Sequence, residues 1–185
     1  MSLEARFATT LAAAQAGAEW ALAELFRDLH PRILRYLRAL EPSEAEDLAS
    51  EVWLDVARGL GRFDGEEQAF RAWAFTIARR RLVDLRRQRA RRPAVPTPME
   101  GLIERGGIGD AEQEAMTALT TEAAIARIAT LPSNQAEVIL LRVLAGLSVR
   151  EVAAIVGKRP GTVRVLQHRA LRRLAREVQW EAVTR

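Results

Sequence analysis

The chain has 185 residues, 49% apolar and 28% charged, with a formal net charge of +4, a balance typical of one globular domain or two small ones rather than a disordered chain. It contains no Cys, which excludes disulfides and thiolate metal sites and fits a reducing cytoplasm. No apolar run approaches the roughly 18 residues of a membrane span, so no membrane insertion is expected, and the first twenty residues carry acids without a continuous apolar stretch, unlike a signal peptide.

The modest net charge hides a block pattern. Residues 1–70 sum to −6, residues 71–92 to +8, residues 93–141 to −5 and residues 142–185 to +7. Two separate basic footprints suit an extended polyanion touched at two places. All the basic residues but Lys158 are Arg, the side chain that grips phosphate and guanine bidentately.

Strand patterns are nearly absent, and the fold class expected is all-α. A first helix spans about Ala18–Leu40, with Leu22, Leu25, Phe26, Leu29, Ile33 and Leu37 at inward spacing and Pro31 as an interruption. Ser43, with Glu46 three residues on, reads as a capping box opening a second helix over Glu44–Leu60, which ends at Gly59 and Gly61. GRFDGEEQ then reads as a loop, and a third helix follows over about Gln68–Arg89 with Phe70, Trp73, Ile77 and Leu85 on its apolar side.

RRPAVPTPMEGLIERGGIGD holds three prolines and four glycines without periodicity and reads as a linker too long for a tight connection within one domain. The organisation expected is two small helical domains, 1–92 and 112–185, joined by a flexible linker over 93–111. In the second domain, helices are expected at about Ala111–Thr130, Ser133–Ala145, Ser148–Val156 and Gly161–Val178. Ser148 and Glu151 form a capping box, Gly157 ends the short helix, and Pro160 fits the first turn of the next. Val163, Leu166, Ala170 and Leu174 make one inward stripe, which leaves Arg164, His168, Arg169 and Arg172 outside. A short helix, a glycine turn and a basic second helix make a helix-turn-helix pattern, whose second helix enters the major groove.

Residues 131–174, LPSNQAEVILLRVLAGLSVREVAAIVGKRPGTVRVLQHRALRRL, closely resemble the −35-reading domain of bacterial sigma factors of the extracytoplasmic function (ECF) group of the sigma-70 family. The matching positions include Leu131-Pro132, Gly146-Leu147-Ser148, Glu151-Val152-Ala153, Gly157, Gly161-Thr162-Val163-Arg164 and His168-Arg169-Ala170. Residues 44–91 resemble the family's −10-reading domain through Ala45-Glu46-Asp47-Leu48, Glu51, Leu54, Arg62-Phe63, Phe70, Trp73, Ile77-Ala78-Arg79 and Asp84-Leu85-Arg86-Arg87.

The resemblance implies a promoter-specificity subunit with three surfaces. A core-polymerase surface is implied at Asp47, Ser50, Glu51, Leu54 and Asp55, facing the β′ clamp coiled coil, with the β subunit as a further contact. The −10 element falls to Arg62, Phe63 and Asp64 in the loop and to Arg71, Arg79, Arg80, Arg86 and Arg87 on the helix after it. There the family captures a base flipped from melted DNA. The −35 element falls to Arg159, Arg164, Val165, His168, Arg169, Arg172 and Arg173, with Lys158 beside them on phosphate. Promoter DNA and core RNA polymerase are the implied partners, an anti-sigma factor is expected by family habit, and the location implied is cytoplasmic. No cofactor is expected.

A stand-alone helix-turn-helix regulator of duplex operators is the alternative, although the chain has no heptad seam for a dimer. An enzyme is not expected. His30 and His168 are far apart, and no Gly-rich phosphate loop or metal-ligand spacing occurs.

Overall fold

A computed structural model describes residues 3–91 and 122–183, with side chains over 6–91 and 122–176. The expected linker, Arg92 and the first part of the helix expected from Ala111 lie outside the described residues. The described residues form helices joined by short turns and loops, with no strand among them. The helices are α1 (Leu3–Gln15), α2 (Glu19–Leu40), α3 (Ala45–Leu60), α4 (Glu67–Arg91), α5 (122–129), α6 (Ser133–Leu144), α7 (Val149–Val156) and α8 (Pro160–Val183).

Helix α2 follows its expected bounds but not its expected face. Its buried stripe is Ala21, Leu25, Leu29, Ile33, Tyr36 and Leu37, whereas Leu22 and Phe26 are exposed. The helix is turned so that small Ala21 is fully buried, and α1 packs on α2. Phe26 instead stacks on His30, ring centroids 4.4 Å apart, and tilts against Trp53 at 4.8 Å. Pro31 does not interrupt the helix, which runs through it.

The capping box expected at Ser43 is absent. Pro42 starts a short 3₁₀ turn, Pro42–Glu44, so Ser43 sits inside that turn and Glu44 becomes the N-cap of α3, without a side-chain cap bond. The Ser43 hydroxyl lies 3.4 Å from an Arg89 guanidinium nitrogen instead.

Helix α4 buries Phe70, Ala74, Phe75, Ile77, Ala78 and Leu82, while the expected core positions Trp73 and Leu85 are only half-buried. The broad buried face follows from its neighbours: α1, α2, α3 and α7 all pack on it.

The helix-turn-helix forms as its sequence dictates. Ser148 Oγ accepts from the Glu151 N–H at 3.2 Å, and the Glu151 carboxylate accepts from the Ser148 N–H at 2.6 Å. Gly157 closes α7 in the left-handed region, φ 65° and ψ 37°, where a side chain is strained. The Ala153 carbonyl accepts from the N–H groups of Gly157 and Lys158, the latter at 3.0 Å. Val163 and Ala170 are fully buried and Leu166 nearly so. Replacing Ser148 by Ala is expected to cost about 0.5–2 kcal/mol, read as a lowered denaturant midpoint with unchanged slope.

The two blocks that the sequence separates pack together. Helix α6 lies on α2, α7 lies on α4, and one apolar cluster runs through both halves. At its edge sits a polar knot. Glu137 of α6 accepts from Arg79 Nε at 2.8 Å and from the Tyr36 hydroxyl at 3.3 Å. Burial, and then the negative Glu137, push the Tyr36 phenol well above its ordinary pKa, so the hydroxyl stays a donor. Gln68 of α4 donates to the Gly146 carbonyl at 3.2 Å and to both Glu151 oxygens at 3.4 Å. Burial disfavours the charged form of Glu151, but the hydrogen bonds from Ser148 and Gln68 outweigh it and hold the carboxyl below its ordinary value.

Candidate nucleic-acid interface

Helix α8 presents a cationic face along its exposed side. Turning Val163, Leu166 and Ala170 inward forces Arg159, Arg164, Val165, His168, Arg169, Arg172 and Arg173 outward, and all seven are exposed. Among the described residues, Arg159, Arg164, Arg169 and Arg172 have no carboxylate within ion-pair distance. Unpaired guanidinium groups on the second helix of a helix-turn-helix keep their full field for phosphate and base edges. Val165, 48% exposed, lies among them.

The second basic face, on α4, has the same composition and a different state. Arg79 is tied to Glu137. Arg80 and Arg81 both reach Asp55, at 2.9 and 2.7 Å, and Arg81 also reaches Glu51 at 3.2 Å. Arg86 donates to the Leu40 carbonyl at 2.8 Å and approaches Ser133 Oγ at 3.3 Å. Arg89 pairs with Glu41 and Glu44. Arg71 is paired with Glu67 and lies under Gly146, where an added Cβ would come within 3.8 Å of its Nη1. Arg87, 69% exposed with Asp84 at 3.8 Å, stands nearly clear, and exposed Arg91 has no carboxylate within ion-pair distance among the described residues. Arg79 is thus tied to the second half of the chain, Arg86 touches it at Ser133 while held mainly by Leu40 and Glu41, and Arg71 lies against it.

The acidic face of α3 divides in two. Asp47, Ser50, Glu51 and Leu54 follow a 3-4 spacing and all four are exposed, Leu54 by 55%. Asp55 leaves that face. Its side chain is 12% exposed and holds Arg80, Arg81 and Arg58. Burial raises its pKa, and the hydrogen bonds of Arg81 and Arg80 more than reverse the effect, so its net value is lowered. Asp55 therefore ties α3 to α4, a part that a surface-face reading of α3 does not foresee.

Between α3 and α4, the loop 61–66 turns Phe63 inward and Arg62 and Asp64 outward. The Phe63 ring stacks on Trp73, centroids 5.1 Å apart, and meets Phe70 edge-on at 5.4 Å. The loop's exposed rim is therefore polar around a fixed aromatic anchor. Gln15, Gln68, Arg81 and Glu137 carry no motif and escape the sequence reading; each matters through a partner 30 to 83 residues away.

Among the described residues, no group of His, Asp and Glu could hold a metal ion, and no helix is long and apolar enough to cross a membrane.

Two family models match the chain in this order: Sigma-70 region 2 over residues 25–92 and Sigma-70, region 4 over residues 121–174. The chain is 38% identical to the ECF RNA polymerase sigma factor ShbA of Streptomyces griseus over 163 residues, covering 82% of this chain and 84% of that one. It is also 38% identical to the ECF RNA polymerase sigma factor SigD of Mycobacterium tuberculosis over 181 residues, 94% of this chain and 84% of the relative. Among solved structures, its fold resembles the sigma factor RpoE of Bartonella quintana in complex with the anti-sigma factor NepR, with TM-score 0.64 and 21% identity over 85% of this chain and 96% of that one. It also resembles CnrH in complex with the cytosolic domain of CnrY, with TM-score 0.59 and 22% identity over 92% of this chain and 96% of that one.

Proposed function

Because this chain belongs to the sigma-70 family, as an ECF RNA polymerase sigma factor, we propose how its surfaces divide promoter recognition. The exposed face of α3, Asp47, Ser50, Glu51 and Leu54, binds the β′ clamp coiled coil of core RNA polymerase. A negative face with one projecting Leu suits a protein partner and repels DNA. The loop 61–66 receives a base of the melted −10 strand, and Arg80 and Arg87 first, then Arg71, Arg79 and Arg86, follow its backbone. The face of α8 enters the major groove at the −35 element, with Arg164 and Arg169 at base edges, Val165 toward a thymine methyl, and Lys158, Arg159, Arg172 and Arg173 on phosphates.

The observation that carries the reading is that Arg164, Arg169 and Arg172, exposed on the second helix of a helix-turn-helix with a complete capping box, have no carboxylate within ion-pair distance among the described residues. Polymerase supplies the catalysis and this chain the address. The segment between the two halves acts as a tether, the partners are core polymerase and promoter DNA, and the place of action is the cytoplasm. An anti-sigma factor is the partner proposed for control, as RpoE is solved in complex with the anti-sigma factor NepR.

The test is run-off transcription with sigma-free bacterial core polymerase and genomic fragments. New start sites that require this chain are expected. Protection of duplex DNA by the chain alone, without polymerase-dependent initiation, would instead establish the stand-alone regulator. On promoters recovered this way, Arg164→Ala is expected to lose about 1–3 kcal/mol of discrimination at one −35 base pair, measured by transcription from single-base variants. An unchanged preference at every −35 position would remove Arg164 from the base-reading set.

A further inference from the structure

Helix α1 precedes both family matches, and no surface proposed above uses it. Its last residue reaches across the molecule. Gln15 Nε2 donates to the Leu60 carbonyl at 3.0 Å and to the Phe63 carbonyl at 2.7 Å. Leu60 is the last residue of α3, its carbonyl also accepting from the Phe63 N–H at 3.0 Å, and Phe63 is the centre of the following loop, whose own carbonyl Gln15 adds to the junction. One side-chain amide carries two N–H donors, so Gln15 spends both on this junction.

The loop is held on two other sides. Phe63 is seated on Trp73 and Phe70, and Phe7 of α1 meets Phe70 at 5.7 Å, so α1 backs the same aromatic cluster. Gly65 has φ +153°, and a Cβ there would stand 3.2 Å from the Phe63 ring and 3.1 Å from the Ala69 Cβ. Ring, glycine and amide together fix the backbone that sends Arg62 and Asp64 outward. A receptor ordered before binding does not lose affinity to its own ordering.

We propose that Gln15 is a positioning residue for −10 recognition: its amide pins the α3 end to the Phe63 carbonyl and presets the loop that receives the flipped base. This inference rests on the reading of loop 61–66 as the −10 receptor. Gln15 is exposed and ends its helix, so Gln15→Leu removes both donors without opening the core.

The probe is a pool of duplex promoters with one fixed −35 element, recovered by the run-off assay, and a randomised −10 hexamer barcoded in each transcript. Holoenzymes carry the native chain, Gln15→Leu, Gln15→Lys, or the rim variants Arg62→Ala and Asp64→Ala. Gln15→Leu is expected to shrink the ratio between preferred and disfavoured −10 sequences by about fivefold, the scale of two exposed hydrogen bonds. Core affinity and melting temperature should hold. Gln15→Lys, whose ammonium can donate to both carbonyls, should restore most of the ratio. An unchanged ratio in Gln15→Leu while the rim variants shift it overturns the role of Gln15 alone. Uniform loss on all promoters together with weakened core binding also overturns it, because that marks a merely structural effect. If neither rim variant nor Gln15→Leu alters the ratio, the loop is not the −10 receptor and both readings fall.

Discussion

Reversing charge at Asp47 and Glu51 together is expected to abolish holoenzyme assembly, lowering affinity for core polymerase at least about a hundredfold, since like charges opposed at an interface cost several kcal/mol. Both side chains are exposed on one face of α3, with Leu54 on the next turn. The double variant Asp47→Arg, Glu51→Arg therefore changes a docking surface without entering the core. Two local side effects need control. Glu51 is paired with Arg81 at 3.2 Å across a partly exposed gap, a contact of about 0–1 kcal/mol. Asp47 stands in the first turn of α3, where an acid complements the helix dipole by about 0.3–1 kcal/mol. The neutral pair Asp47→Asn, Glu51→Gln removes both contacts without adding repulsion, and should keep most of the affinity. Competition for fluorescent core polymerase, with melting curves for each protein, separates docking from folding. Wild-type affinity in the double arginine variant would move the polymerase surface off this face.

Glu137→Ala is expected to loosen the second half of the chain from the first and to raise affinity for promoter DNA. The reason begins with size. A compact chain of this length has a radius of gyration of about 16 Å and is about 40 Å across. Promoter elements about 25 base pairs apart are separated by about 85 Å along B-form DNA at about 3.4 Å per base pair. One compact body cannot touch both. The 30 residues 92–121 reach at most about 100 Å when extended, enough to span the gap. On the proposed division of surfaces, contact with both elements requires α6–α8 to leave α2 and α4, which also frees Arg79 from Glu137.

Glu137 is the point to break. Its carboxylate, 15% exposed, accepts from Arg79 and Tyr36, both on the opposite half. Its removal leaves a buried phenol without its acceptor, a loss of about 1–3 kcal/mol, or roughly five- to 150-fold in the ratio of open to closed molecules at about 1.4 kcal/mol per decade. Glu137→Gln, which keeps an acceptor for Tyr36 but loses the charge facing Arg79, should fall between. The chain has no Cys, so dyes on Ala57→Cys and Ala154→Cys, both at exposed positions, report separation by energy transfer. Lower transfer with tighter binding to a −35 duplex is the expected result. Unchanged transfer and affinity in Glu137→Ala would show that this knot does not hold the halves together.

The legible features share a physical cause: each depends on residues within one or two turns. The Ser148–Glu151 box, the left-handed Gly157, the start of α8 at Pro160 and its inward stripe rest on bonds and periodicity spanning a few positions. The outward arginines of α8 follow from that stripe, and the family motifs name their use. Two departures from the sequence reading were decided by distant neighbours: Phe26 took up the Trp53 ring together with His30, and Asp55 was drawn to Arg80 and Arg81. The third was local, since Ser43 lost its cap to the turn begun by the adjacent Pro42.

Propensity, capping and charge are local quantities, so the helices from α2 onward, the helix-turn-helix and the two basic footprints could be read along the chain, whereas α1, Leu3–Gln15, was not foreseen. Only the tertiary structure decided that the two footprints differ in state. Among the described residues, Arg164, Arg169 and Arg172 of α8 have no carboxylate within ion-pair distance, while most arginines of α4 are held, by Glu67, Asp55, Glu137, Glu41 and the Leu40 carbonyl. An arginine's partners are set by which carboxylates the packed helices bring within about 4 Å, and no reading along the chain contains that distance.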